Sequence, residues 1–227
     1  MDVTSMLSHL QTLSNPTNQE GMKHFAVGDE TSLGIPIPVL RDLAKSIKKN
    51  HALALDLWES GIHEARLLAT MIDDPKQVSE KQMDTWTSQF NSWDICDQCC
   101  GNLFRKTPFY LSKAIDYSYA KEEFIKRTGF TLMVQYAVHD KKGSDDVCIP
   151  FLQRIEEEAY DDRNFVKKAV NWCLRQIGKR STYLHPLAID TAIRIDKQSH
   201  RSAHWIAKDA LRELQSESVK KRLGIIE

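Results

Sequence analysis

The chain has 227 residues, 41% of them apolar, and its 31 basic and 31 acidic side chains give a formal net charge of zero. That size supports a sizeable core, and the balanced charge excludes bulk electrostatics as an argument for a nucleic-acid partner, so only a local patch could make one. No apolar run approaches the roughly 20 residues of a membrane helix, "MDVTSMLSHL" lacks the basic start and apolar stretch of a signal peptide, and five cysteines without framework spacing suit free thiols in a reducing compartment. A cytoplasmic protein with no membrane partner is expected.

In chain order, "GDETSLGIPIP" (28–38) is the main irregular stretch, its glycines and prolines forming an extended lead-in to a first long helix at about Val39 to Asn50. From about residue 36 onward segments of helical period follow one another, and no stretch alternates apolar and polar residues long enough to argue for a strand. The fold class is all-α. Pro75 precedes "SEKQMDTW", where Ser79 and Gln82 have capping-box spacing, and "SDDVCIPFL" opens with Ser144 and two acids as a second helix start. "DKKGSDD" (140–146) reads as a solvated loop and "RIEEEAYDDR" (154–163) as an outer face with its acids toward water. Trp58, Trp86 and Trp205 read most simply as packing residues, although Trp205, three before Lys208, is placed to reach the inner wall of a helical stack.

A loose repeat of 30 to 40 residues joins these helices. "EARLLATM" (64–71), "ICDQCCGN" (95–102), "IKRTGFTL" (125–132), "VKKAVNWC" (166–173) and "IAKDALRE" (206–213) each carry a polar residue third, followed by small and apolar residues. That period predicts one domain, 1–227, of stacked antiparallel helix pairs: a HEAT-like α-solenoid with a concave inner wall, monomeric by default. Equivalent positions line one surface of such a stack, so Arg66, Asp97, Arg127, Lys168 and Lys208 form a row in which one acid interrupts the bases.

Between Arg163 and Arg180 the neutral total conceals a basic patch, with six basic residues (Arg163, Lys167, Lys168, Arg175, Lys179, Arg180) and no acid. On a helix, Val166, Val170, Cys173 and Ile177 make an apolar stripe, and Lys168, Trp172, Arg175 and Lys179 make a second one about 200° away. A tryptophan among cations either packs under a neighbouring helix or serves as an aromatic platform of the kind that stacks bases. Trp93 poses the same choice, and it lies one turn from Asp97 on a shared face. Two indoles and a carboxylate rimmed by Arg127, Lys168 and Arg175 suit a target that is cationic and aromatic but embedded in phosphates. Cys96, Cys99 and Cys100 lack a fourth ligand from a second knuckle, so no metal and no cofactor is expected.

"SWDICD" (92–97), the arginine of "FIKRTGF" (124–130), the tryptophan of "FVKKAVNWCLRQIGKR" (165–180) and "LGIPIPVLRDLAK" (33–45) together resemble the bacterial DNA alkylation repair glycosylases built from HEAT-like repeats, the AlkD-like group. The likeness runs from roughly residue 20 to residue 215. It implies hydrolytic excision of N3- and N7-alkylated purines from duplex DNA, without full extrusion of the lesion. It also implies that Trp93 and Trp172 are the family's aromatic pair, Asp97 its catalytic carboxylate and Arg127 its DNA-contacting arginine. The basic patch adds Lys168, Arg175, Lys179 and Arg180, and the repeat row adds Arg66 and Lys208, as further DNA-binding positions. The chemistry agrees: a cationic purine leaves without a general acid, and a fixed carboxylate stabilises the oxocarbenium-like sugar. A relative that binds DNA structures or damaged DNA without cutting, and a protein-binding scaffold, are the alternatives.

Overall fold

The computed structural model describes residues 2–24, 27–28 and 30–226, without the side chain of Lys23. Among the described residues every regular element is helical, with fourteen α-helices and two short 3-10 turns. Two compact units emerge from the backbone packing, Met1–Tyr110 and Leu111–Glu227.

The first unit contains α1 (Val3–Thr12), α2 (Pro16–His24), α3 (Ile37–Ile47), α4 (His51–Glu59), α5 (His63–Ile72), α6 (Glu80–Ser88) and α7 (Trp93–Asn102). The first two precede the region where the helical period becomes legible. Asp2 caps α1 by accepting from the Ser5 N–H at 2.8 Å, and α1 fully buries only Met6 and Leu10, too short a stripe to stand out in the sequence. Proline opens α2 at a position where its missing N–H costs nothing. The first long helix ends at Ile47 rather than Asn50, because Lys48 turns to φ +65° and Asn50 instead caps α4, accepting from the Leu53 N–H at 3.1 Å.

"GDETSLGIPIP" forms the expected lead-in to α3, with Asp29 outside the described residues. Ser79 caps α6 as its spacing predicts, but the Gln82 amide reaches Asp73 at 2.6 Å instead of folding back to close a capping box. The centre of this unit is α5, which packs against α3, α4 and α7 and buries Ala65, Leu67, Leu68, Ala69 and Ile72. Trp58 and Trp86 are packing residues as expected, buried and stacked at 3.9 Å with their planes 3° apart.

The second unit contains α8 (Tyr110–Ser118), which begins at the boundary, then α9 (Glu123–His139), α10 (Cys148–Glu158), α11 (Asn164–Gly178), α12 (Leu184–Asp196), α13 (Arg201–Leu214) and α14 (Glu217–Leu223). Here α11 is central, packed between α9 and α13 and covered by α10 and α12. Gly129 brings α9 against α8, since a Cβ there would sit 2.4 Å from the Ser118 backbone nitrogen. "RIEEEAYDDR" departs from the expected outer face. Glu157 and Asp162 are exposed, but Glu158 and Asp161 are buried and face Lys126, whose Nζ lies 2.5 Å from Glu158 Oε2 and 3.4 Å from Asp161 Oδ2. Arg154 completes the cluster from the other side, 2.6 Å from Glu158 Oε1.

Polar ties between elements recur at the spacing of the sequence repeat. His63 meets Asp94 across 31 residues, Asn102 meets Thr70 across 32, and both Arg127 to Phe165 and Asn171 to Asp209 span 38.

Candidate functional site

The α7 helix carries the sharpest motif. Ser92 takes the extended conformation of an N-cap residue, Asp94 sits in the first turn where the helix dipole favours an acid, and Ile95, Cys96, Cys99 and Cys100 are buried. Trp93 and Asp97 lie one turn apart and are both half-buried, so the helix presents an indole and a carboxylate together on a partly accessible face.

Trp93 also lines a cavity of about 540 Å³ within the first unit, walled by Met22, Ile35, Pro36, Leu67 and His63. Its wall at residues 33–35 is held from below. The Glu64 carboxylate, itself 1% exposed, accepts from the backbone N–H groups of Leu33 and Gly34 at 2.7 Å and of Ile35 at 3.3 Å. Gly34 is required there, because its φ is +75° and a Cβ would lie 2.3 Å from the Asn15 carbonyl oxygen. His63 is buried and its Nε2 lies 2.9 Å from Asp94 Oδ2. Burial alone would raise the Asp94 carboxyl, but the hydrogen bond and charge of His63, helped by the Ser92 hydroxyl, outweigh it and hold the group below the ordinary carboxylate range.

Neither the His63–Asp94 pair nor the Glu64 clamp follows from the motifs read in the sequence. The signal that could have found the pair is its separation of 31 residues, one repeat, with each residue at the start of its helix.

In the second unit α11 carries Trp172 half-buried and Lys168 exposed. The rest of its expected basic stripe is neutralised by α13. Arg175 and Lys179 both pair with Glu213, and Arg175 Nε also lies 3.6 Å from Asp209. Burial pushes the Glu213 carboxyl up, but Lys179 and Arg175 more than compensate and leave it below its usual range.

Arg180 is turned inward, 2.8 Å from Asp145 and donating to the carbonyls of Tyr136, Ala137 and Gly143. Arg127 is 5% exposed and donates from Nη1 to the Phe165 carbonyl at 2.7 Å, which ties α9 to the start of α11. In the first unit Arg66 is half-buried, with Nε donating to the Trp58 carbonyl at 3.2 Å and its guanidinium 5.2 Å over the Trp58 ring. Of the basic positions expected to meet DNA, Lys168 and Lys208 are thus the exposed ones, and Arg66, Arg127, Arg175, Lys179 and Arg180 are engaged inside their own units.

None of the five cysteines is disulfide-bonded, and all are buried. Burial pushes the Cys99, Cys100 and Cys173 thiols well above their usual range and Cys148 up to about 12, so they are neutral, unreactive packing groups. Among the described residues no group of three or more His, Cys, Asp and Glu side chains is arranged to hold a metal ion, and no helix is long and apolar enough to cross a membrane.

These features define the class: an all-α protein of HEAT-like repeat architecture. A solved structure described as representing a new family of proteins related to the HEAT-like repeat DNA glycosylases, with affinity for branched DNA structures, superposes with a TM-score of 0.79 at 19% sequence identity, covering 99% of this chain and 97% of that one. The chain belongs to the DNA alkylation repair enzyme family, whose sequence pattern matches residues 6–214. Two uncharacterised relatives, Lin0241 of Listeria innocua and Lmo0209 of Listeria monocytogenes, are 24% and 23% identical over 194 residues, in each case 84% of this chain and 84% of the relative.

Proposed function

We propose that this protein binds duplex DNA and excises cationic N3- and N7-alkylated purines by hydrolysis of the N-glycosidic bond. The observation that carries the reading is the Trp93–Asp97 pair, an indole and a carboxylate one turn apart on a partly accessible face of α7 in a member of a DNA alkylation repair family. Alkylation at N3 or N7 makes the purine cationic, so it departs as a neutral base without prior protonation. As the C1′–N bond breaks, positive charge grows on the sugar, and the Asp97 carboxylate stabilises it and orients the water that adds to C1′. The proton released from that water passes to solvent. The face of Trp93 adds cation–π stabilisation beside Asp97, and in the second unit Trp172 serves as an aromatic DNA contact with exposed Lys168 and Lys208 as phosphate contacts.

A second reading, DNA binding without excision, is favoured by the affinity for branched DNA described for the structural neighbour. Release of methylated bases from methylated duplex DNA separates the two. The glycosylase reading expects release by the wild type and its loss in Asp97→Asn with DNA binding retained. Release no faster than spontaneous depurination by the wild type, with binding intact, would leave the second reading standing.

A further inference from the structure

One helix face is unexplained by packing, and the proposed chemistry uses only Lys208 of it. α13 buries Ser202, Ala203, Ile206, Ala207, Ala210 and Leu214. On its opposite side Arg201, Trp205, Lys208 and Arg212 recur at i, i+4, i+7 and i+11, which places them in a single row, and all four are exposed. The sequence suggests Trp205 as a packing residue, yet 41% of it is open to solvent. Lys167 of α11 brings its ammonium to 5.1 Å from the centre of the Trp205 ring, a fourth cation beside the indole.

The nearby acids do not cancel this row. Asp209 accepts from Asn171 and lies beside Arg175, and Glu213 is held by Arg175 and Lys179. Arg212 does pair with Asp209, but its side chain is 80% exposed, and such a surface pair is weak. The acids of α13 are therefore used to neutralise α11, and the accessible positive charge of the two helices lies on α13 and at Lys167 and Lys168.

An exposed indole in a row of cations suits an unpaired base held by its phosphates. At a rise of 1.5 Å per residue, Arg201 and Lys208 are about 10 Å apart along the helix, roughly three nucleotide steps of 3.4 Å, with the indole between them. In a continuous duplex the bases are stacked on each other and the indole has no base face to cover; at an unpaired base it does. We infer that the solvent-exposed face of α13 is a contact for DNA bearing unpaired bases, in which Trp205 stacks on an exposed base while Arg201, Lys208 and Lys167 hold the flanking phosphates. The inference rests on the reading that this protein binds DNA.

The test is fluorescence anisotropy with two labelled DNAs, a 20-base-pair duplex and the same duplex ending in a flap of unpaired thymines, using the wild type, Trp205→Ala, Trp205→Phe and Lys208→Ala. Stacking on one base is worth on the order of tenfold in affinity. Trp205→Ala is expected to lose about that factor on the flapped DNA and to bind the plain duplex within about twofold of wild type, with most of the loss restored by Trp205→Phe. Lys208→Ala is expected to weaken both and to lower the salt dependence by about one phosphate contact. A wild type that binds both DNAs while Trp205→Ala binds them equally well, or loses equally on both, overturns this inference alone. A wild type that binds neither DNA overturns the DNA-binding reading and this inference with it.

Discussion

Removal of the Glu64 carboxylate should loosen the first unit more than any other single change near Trp93. The carboxylate is 1% exposed and accepts three backbone N–H groups, two of them at 2.7 Å, from residues 33–35. Each hydrogen bond to a charged acceptor is worth about 1.5–3 kcal/mol, and a buried donor left without a partner costs about 1–3 kcal/mol. The third contact is long and Leu33 is only half-buried, so a total of about 3–5 kcal/mol is expected for Glu64→Ala, a large share of the ~5–15 kcal/mol that holds a domain together. Glu64→Gln retains one acceptor oxygen but presents an amide N–H₂ to the remaining donors, and about half the loss is expected. Urea denaturation measures the totals. Hydrogen exchange locates them, since the amides of Leu33, Gly34 and Ile35 should lose protection first. A Glu64→Ala variant within about 1 kcal/mol of wild type, with those amides still protected, would show that the clamp contributes little and that the cavity wall beside Trp93 is held by other contacts.

Three further predictions concern stability. Glu158→Ala leaves Lys126 and Arg154 as buried cations without their shared carboxylate, and a loss of about 3–5 kcal/mol in denaturant titrations is expected; replacement of the whole cluster by apolar residues of similar volume should cost much less. Asp94 is held below its ordinary value of 3.8, so the stability it contributes is complete above that pH and is lost as pH falls through its lower folded value. The acid limb of the wild-type stability profile should therefore be steeper than that of Asp94→Asn, and identical limbs would refute the assignment. Trp58→Ala removes one of two stacked buried indoles and should cost about 3–5 kcal/mol, with loss of the coupled Trp58–Trp86 signal in near-ultraviolet circular dichroism; an unchanged spectrum would count against the stacking.

Period, caps and spacing are local properties, and they decided what could be read from the chain alone. The all-α class follows from apolar positions recurring at 3.6 residues, the start of α6 from Ser79 and Gln82, and the place of Trp93 and Asp97 on one face from their four-residue separation. α1 and α2 escaped because a helix with at most two buried side chains among its described residues has almost no stripe to read. What a charged side chain does was beyond sequence, since it depends on which acids a neighbouring helix brings up. Arg175 and Lys179 look like part of a basic stripe until Glu213 arrives from 34 and 38 residues away, and Arg127 looks like a phosphate ligand until the start of α11 covers it. Trp205, which the sequence leaves between packing and reaching the inner wall, is open because the buried face of α13 lies on the other side of the helix. The sequence by itself determined which residues share a helix face. Only the tertiary structure decided which of those faces are buried, which charges are already paired, and which remain to meet a partner, because burial and Coulomb pairing act between elements far apart in the chain.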